Sequence, residues 1–187
     1  MTAKRIFWLA VALQVLILLG IVGRHQYTLA TGTPILLKTA PVDPWDPFRG
    51  DYVRLNYEIS SLTKDKVAMT GSPYRRGQSV WVTVAKGQEF WSAVAVSDKR
   101  PAVQNGQVAL RAIVEFDNSA WDPAPGEPRT MPQLFVRYGI EQFYVPEGEG
   151  KDLETRQRDM TVQALVDRFG RAALHKVFVE GKEIQWR

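Results

Sequence analysis

The sequence predicts a mainly β protein, an antiparallel sandwich or open barrel, preceded by one N-terminal transmembrane helix. Three observations support this prediction. A long apolar segment lies near the N-terminus, several later segments alternate between apolar and polar residues, and turns rich in Gly or Pro separate those segments. Only residues 151–158 could form another helix, and their polar composition provides no face that could be buried.

The predicted helix comes first in the chain. The segment from Ile6 to Val22 is apolar apart from Gln14 and Gly20, and two cations precede it. As a helix it is about 25 Å long, slightly short of the ~30 Å hydrocarbon core of a bilayer. A single chain segment crosses lipid as a helix because every backbone N–H and C=O must be satisfied internally.

We therefore divide the chain into four parts. Residues 1–5 form a cytoplasmic tail, residues 6–23 an anchor in contact with membrane lipid, residues 24–33 a polar tether, and residues 34–187 one extracytoplasmic β domain. In a bacterium this arrangement is a single-pass protein of the inner (cytoplasmic) membrane. The alternative is a cleaved signal peptide, but the apolar run exceeds the usual 7–15 residues, and Arg24 and His25 precede the best cleavage candidate.

Short strands follow the tether. The segment from Asp51 to Ile59 alternates strictly, which places Val53, Leu55, Tyr57 and Ile59 on one buried face. A Gly-containing turn joins two further strands into a hairpin, and a second hairpin lies near the C-terminus. The predicted strands, in order, are 34–39, 51–59, 79–86, 90–97, 108–116, 134–138, 141–145, 161–166, 172–179 and 183–186.

Composition excludes several classes of function. The chain has 24 basic and 20 acidic residues, and three of the basic ones flank the anchor, so the β domain is close to neutral. A nucleic-acid-binding face needs clustered Lys and Arg, and none occurs, so we predict no nucleic-acid partner. The absence of Cys excludes disulfides, thiolate catalysis and zinc–thiolate sites.

The search for catalytic and metal-binding residues gives weak candidates only. No Gly-x-Ser-x-Gly elbow surrounds any serine, and the two histidines, His25 and His175, lie in unrelated segments. Asp43, Asp46 and Asp51 are close in sequence, but the loop pattern that binds calcium is absent. We predict no catalytic residues, no metal and no cofactor.

Two segments are more specific than ordinary loops. One places Gly and Asp at the start of a strand, and the other places aromatic residues beside an acidic, Gly-rich turn. Such loops can bind a partner, and they can equally be a bulge and a wide hairpin loop. The candidate partner-binding residues are Arg49, Gly50, Asp51, Tyr52, Leu55, Tyr57, Glu141, Tyr144, Pro146, Glu147, Gly148 and Glu149.

The segment from Gly50 to Tyr57 matches the pattern G-D-Y-x-x-L-x-Y at every fixed position. With the N-terminal anchor, the Pro41–Pro44 lead-in and the later 144–150 segment, the chain resembles the bacterial GDYXXLXY family. The resemblance implies a membrane-associated protein. Because members are often encoded beside a multi-spanning membrane protein, it also implies such a protein as partner.

Two functions follow from these observations. The first is a non-enzymatic accessory domain, anchored in the membrane, that binds an integral membrane protein, with Gln14 as a contact inside the bilayer. The alternative is an envelope carbohydrate-binding or hydrolase domain. It would use two carboxylates from Asp51, Glu58, Glu141, Glu147 and Glu149, with Trp45, Trp81, Trp91 or Trp121 as stacking platforms.

Overall fold

A computed structural model describes residues 3–40, 52–71, 73–118, 133–144 and 160–184. In these ranges the chain is mainly β, with two larger sheets, one of them a half-barrel, and a single N-terminal apolar helix. This architecture confirms the predicted fold class. Residues 151–158, considered for a second helix, lie outside the described ranges.

The N-terminal helix, α1, runs without interruption over Ala3–Thr31. The part from Lys4 to Thr31 is long and apolar enough to cross a membrane, with a mean hydropathy of 2.6 in its most apolar window. The same length and composition suit a signal sequence near an N-terminus. Side chains along the apolar segment are exposed, so this part of α1 extends away from the β domain.

The structure differs from the prediction at the polar tether, because residues 24–31 continue the helix and the first strand begins at Thr33. Polar composition alone indicated a tether. Contacts with the β domain hold the last turn helical instead, since Thr28 is buried and its hydroxyl binds a buried carboxylate of the domain. The N–H of Gly32 donates to the carbonyl of Thr28 at 2.9 Å and closes the helix.

The first sheet has five antiparallel strands in the order β13-β12-β11-β1-β3. Strand β1 follows the helix directly and pairs with β11, the central strand of this sheet, from Thr33↔Val166 to Lys38↔Thr161. The strands are β1 (Thr33–Ala40), β3 (Asn56–Tyr57), β11 (Met160–Val166), β12 (Ala172–Val179) and β13 (Lys182–Glu183).

The second sheet has six strands in the order β4-β9-β8-β6-β7-β5, and a separate two-stranded ribbon pairs β2 with β10. All pairs are antiparallel except β5 with β7. The strands are β2 (Tyr52–Arg54), β4 (Ser61–Thr63), β5 (Ala68–Thr70), β6 (Ser79–Lys86), β7 (Trp91–Ser97), β8 (Gln107–Asp117), β9 (Gln133–Arg137) and β10 (Gln142–Tyr144).

The segment predicted as one strand over 51–59 is divided in the structure. It forms β2, then β3, then a short 3₁₀ turn over Glu58–Ser60. The reason is that its pairing partner changes along the segment, from β10 to β1 and then, in β4, to β9. The chain therefore turns a corner between the sheets.

One hydrophobic core lies between the sheets and includes the face predicted from the alternation. Leu55, Tyr57 and Ile59 are buried, and the side chain of Val53 lies outside the described part of the structure. These residues pack in one cluster with inward-facing residues of both sheets, among them Ile35, Leu37, Val82, Leu110, Val136 and Val162.

Candidate functional site

The two segments singled out in the sequence lie next to each other in the structure. Strand β2 pairs antiparallel with β10, with Tyr52 opposite Tyr144 and Arg54 opposite Gln142. The N–H of Leu55 continues the ladder by donating to the carbonyl of Glu141 at 2.8 Å. We call residues 52–59 and 138–144 the motif junction.

Two buried tyrosines tie the halves of the motif junction together. The hydroxyl of Tyr57 donates to the carbonyl of Ile140 at 2.6 Å. In the opposite direction, the hydroxyl of Tyr138 donates to the carbonyl of Ile59, also at 2.6 Å. Each segment therefore satisfies a buried carbonyl of the other, which is the condition for burying backbone polar groups at low cost.

Glu141 shapes the turn that brings the second half of the motif junction into place. Its carboxylate accepts the backbone N–H of Tyr138 and, at 2.8 Å, that of Gly139. Gly139 has a φ of +85°, a conformation that glycine adopts without strain. The carboxylate of Glu141 therefore binds backbone N–H groups of its own turn.

The electrostatics of the motif junction favour neutral tyrosines. Burial raises the pKa of Tyr57 far above the ordinary value of 10.0, and the negative charge of Glu141 raises it further. The pKa of Tyr138 is raised for the same two reasons. Both phenols therefore act as permanent hydrogen-bond donors, which suits a structural role and excludes a phenolate nucleophile near neutral pH.

The structure describes part of the predicted partner-binding set. Leu55 and Tyr57 are 1% and 0% exposed, so their side chains stabilise the core and are covered from solvent. Tyr52 and Tyr144 are placed by their backbone pairing alone. The members that lie outside the described residues are Arg49, Gly50, Asp51, Pro146, Glu147, Gly148 and Glu149. Gln14 is exposed in the middle of the apolar part of α1.

For the hydrolase alternative, two of its five carboxylates are described. Glu58 is exposed and forms an ion pair with Lys38 at 3.1 Å, while Glu141 caps its turn. The carboxylates of Asp51, Glu147 and Glu149, with Trp45 and Trp121, lie outside the described residues. Trp91 packs against the core, and Trp81 lies under the guanidinium of Arg100, whose Cζ is 5.6 Å from the ring centroid.

Histidine and metal chemistry find no support in the described ranges. His175 is exposed on β12, and a register shift in the pairing with β11 leaves it without a pairing partner on that strand. Among the residues that the structure describes, no three His, Asp or Glu side chains are grouped as metal ligands would be.

A second site, which sequence reasoning did not find, joins the helix to the domain. The turn between β11 and β12 carries Asp167, which is 4% exposed. One carboxylate oxygen accepts the N–H groups of Phe169 and Arg171, at 2.8 and 3.0 Å, and the other accepts the hydroxyl of Thr28 at 2.9 Å. We call Tyr27, Thr28 and residues 167–171 the helix–turn junction.

The turn of this junction is itself held against the second sheet. The N–H of Arg111 on β8 donates to the carbonyl of Gly170 at 2.7 Å. Gly170 has a φ of +77°, and a Cβ there would approach Trp81 to 2.4 Å and the carbonyl of Ala109 to 2.9 Å. The turn thus links the helix, the first sheet and the second sheet.

Aromatic and basic side chains cover the outside of the helix–turn junction. The rings of Tyr27 and Phe169 lie 6.2 Å apart, and Phe169 is 42% exposed. The guanidinium carbon of Arg168 lies 5.8 Å from the Tyr27 ring and 4.8 Å from the Phe169 ring, and that of Arg171 lies 5.4 Å from the Phe169 ring. The sequence signal was an aromatic residue between two arginines in one turn.

Comparison with known proteins places the chain by its sequence. A family model described as "GDYXXLXY protein" matches residues 14–177, which is most of the chain. The comparison with curated proteins and the comparison with solved structures each returned no match.

Proposed function

Because the chain belongs to the GDYXXLXY family, we propose that it is a membrane-anchored, non-enzymatic accessory protein whose β domain binds an integral membrane protein. In this proposal α1 is an uncleaved single-pass anchor, and the β domain lies on the extracytoplasmic side of the inner membrane. A cleaved signal sequence is the alternative for α1. A partner in the same membrane then contacts both the helix and the β domain.

One observation carries this proposal. The apolar helix continues into a last turn that the β domain holds through the bond between Thr28 and Asp167. A flexible tether would leave the domain free to rotate above the membrane. The docked helix instead gives it a fixed orientation, which favours a domain that acts on a neighbour in the same bilayer. Cleavage after residue 30 would also remove Tyr27 and Thr28, which the domain packs against.

Gln14 supplies the predicted contact within the bilayer. An exposed amide in an apolar span is stabilised when a neighbouring helix provides a hydrogen-bond partner, at about 1 kcal/mol for each such bond. With 3.6 residues per turn, Leu18 lies on the same face as Gln14 and Leu16 on the opposite face. The helix therefore offers matched positions for a test.

The β2–β10 ribbon supplies the proposed contact outside the bilayer. Gln142 is exposed on β10, opposite Arg54 of the family motif. Leu55 and Tyr57, which follow β2 in the chain, are buried in the core. A partner that recognises the motif segments would then approach the ribbon from the side of Gln142.

Site-specific photocrosslinking in cells tests the proposal. A photoreactive residue at Leu18 should give one discrete adduct with a membrane protein, and the same residue at Leu16 should not. When the photoreactive residue is at position 18, Gln14→Leu should lower the adduct yield about 5-fold, because it removes one interhelical hydrogen bond of about 1 kcal/mol. A probe at Gln142 should capture the same protein, and a probe at the exposed Lys182 should not.

Two results would contradict the proposal. One is equal adduct yield at positions 16 and 18 with no dependence on Gln14, because this would indicate that neither face of the helix binds a particular partner. The other is recovery of a shortened chain that lacks α1, because this would show that the helix is a cleaved signal sequence.

A further inference from the structure

The outer surface of the helix–turn junction has an unusual combination of side chains. Tyr27 and the exposed Phe169 form an aromatic pair, and the guanidinium groups of Arg168 and Arg171 lie over these rings. The guanidinium of Arg100 donates to the carbonyl of Arg168 and adds a third positive charge. We call Tyr27, Arg100, Arg168, Phe169 and Arg171 the basic aromatic face.

The position of this face along the helix is fixed by the docking of α1. Tyr27 lies five residues beyond Val22, the end of the apolar segment, and is therefore about 7.5 Å further along the helix axis. Headgroups occupy roughly 5–7.5 Å on each side of the hydrocarbon core. If the apolar segment spans the core, the basic aromatic face lies at the depth of the headgroups.

Among the described residues, the positive charges of this face form no ion pair with a carboxylate. The nearest carboxylate in sequence, that of Asp167, is buried. It accepts hydrogen bonds from the Thr28 hydroxyl and from two backbone N–H groups. Within the described part of the chain, neither Arg168 nor Arg171 forms an ion pair with a carboxylate. Guanidinium groups stacked on aromatic rings keep their N–H edges free, and these edges match the oxygens of a phosphate.

We propose that the basic aromatic face binds the phosphate headgroups of anionic phospholipids and seats the β domain on the membrane surface. This inference rests on the anchoring proposed above. Phe169 and Tyr27 occupy the interfacial region, where aromatic rings with one apolar and one wet side are favoured. Arg168 and Arg171 bind phosphate oxygens beside them. The lipid surface thereby adds a second point of attachment to the single helix.

The absence of cysteine makes a direct test possible with the full chain. The chain is reconstituted in nanodiscs of phosphatidylcholine alone or of phosphatidylcholine with phosphatidylglycerol. An aromatic fluorophore on Phe169→Cys, which keeps an aromatic group at this position of the face, is quenched by lipids that carry a spin label in the headgroup. A matched label on Lys182→Cys reports from the far end of β12, roughly 25 Å along the strand.

We expect strong quenching at position 169, weak quenching at position 182, and an increase at position 169 when phosphatidylglycerol is present. In the labelled background, Arg168→Gln with Arg171→Gln should remove this increase. Each arginine should account for about a 5-fold change in the ratio of seated to unseated domain, and the pair for roughly 25-fold. Lys86→Gln with Lys182→Gln removes the same charge from exposed positions elsewhere and should leave the increase unchanged.

The outcomes separate this inference from the proposal on which it rests. Recovery of the chain outside the nanodiscs would overturn the membrane anchor and the headgroup site together. Incorporation with equal quenching at positions 169 and 182, or with no dependence on phosphatidylglycerol, would overturn the headgroup site alone. Equal loss in the lysine variant would also overturn it, because the effect would then depend on net charge and not on this face.

Discussion

The bond between Thr28 and Asp167 is the feature of the helix–turn junction that is simplest to test by substitution. Thr28→Val keeps the shape of the side chain and removes the hydroxyl. One oxygen of the buried Asp167 carboxylate then loses the donor that lies 2.9 Å away. Because a hydrogen bond to a buried charged group contributes about 1.5–3 kcal/mol, we expect a loss of unfolding free energy in that range.

The helix also provides a matched control. Thr31 lies three residues further along α1, and its hydroxyl donates at 2.8 Å to the carbonyl of Tyr27 within the helix. It is exposed, so Thr31→Val should change the unfolding free energy by less than about 0.5 kcal/mol. The two substitutions are chemically identical, and only the first removes a bond to the β domain.

Thermal unfolding of the full chain in detergent, followed by the far-ultraviolet circular dichroism of the β domain, measures both variants. For a chain of this size, the expected loss for Thr28→Val corresponds to a melting temperature lower by roughly 3–12 °C. A melting temperature within about 2 °C of the Thr31→Val variant would refute the reasoning. In that case the helix would be held by its apolar contacts, and the hydroxyl would contribute little to docking.

Three further predictions concern the core and its tyrosines. Leu55→Ala should cost about 2–5 kcal/mol as a core truncation, and a loss near ~0.5 kcal/mol in denaturant titration would place Leu55 at the surface. Tyr57→Phe should cost about 1–3 kcal/mol because it leaves the buried carbonyl of Ile140 without its donor, whereas no change in the denaturation midpoint would show that the carbonyl has another partner. Burial, with the charges of Asp98 and Asp117, raises the pKa of Tyr74 from 10.0 to about 12, so its contribution to stability is complete below pH 10 and is lost as the pH rises to about 12. Tyr74→Phe should flatten that part of the stability–pH curve, and an unchanged curve would contradict the assignment.

Strands with strong alternation could be predicted from the sequence because the pattern of apolar and polar residues lies within each strand. The segment 79–86 and the hairpin partners near 161–166 and 172–179 appear within a residue of their predicted bounds. Strands β4 and β5 were not predicted, because three residues are too few to show a period. They form where the half-barrel offers unpaired edges next to β9 and β7.

Long-range pairing explains what the sequence could not predict about the candidate sites. Both segments of the motif junction were recognised as unusual, but nothing local indicates that residue 52 lies opposite residue 144. The helix–turn junction depends on a bond between positions 139 residues apart. The polar composition of residues 24–31 predicted a tether. In the structure these residues are helical, because the bond between Thr28 and Asp167 holds them against the domain.

Strand β1 connects the two junctions and sets the distance between the proposed contacts. Its first residue, Thr33, follows the docked helix, and Thr39 pairs with Tyr57 at the motif junction. Six residues of extended strand separate them, which corresponds to about 20 Å. Because β1 is paired with β11 over residues 33–38 and with β3 at residues 39–40, the sheet fixes this distance. A partner that contacts Gln14 on the helix and Gln142 in the motif junction must therefore also cover the separation between the two junctions. Capture of one protein by probes at both positions thus also requires that this protein has a part outside the bilayer that reaches the motif junction.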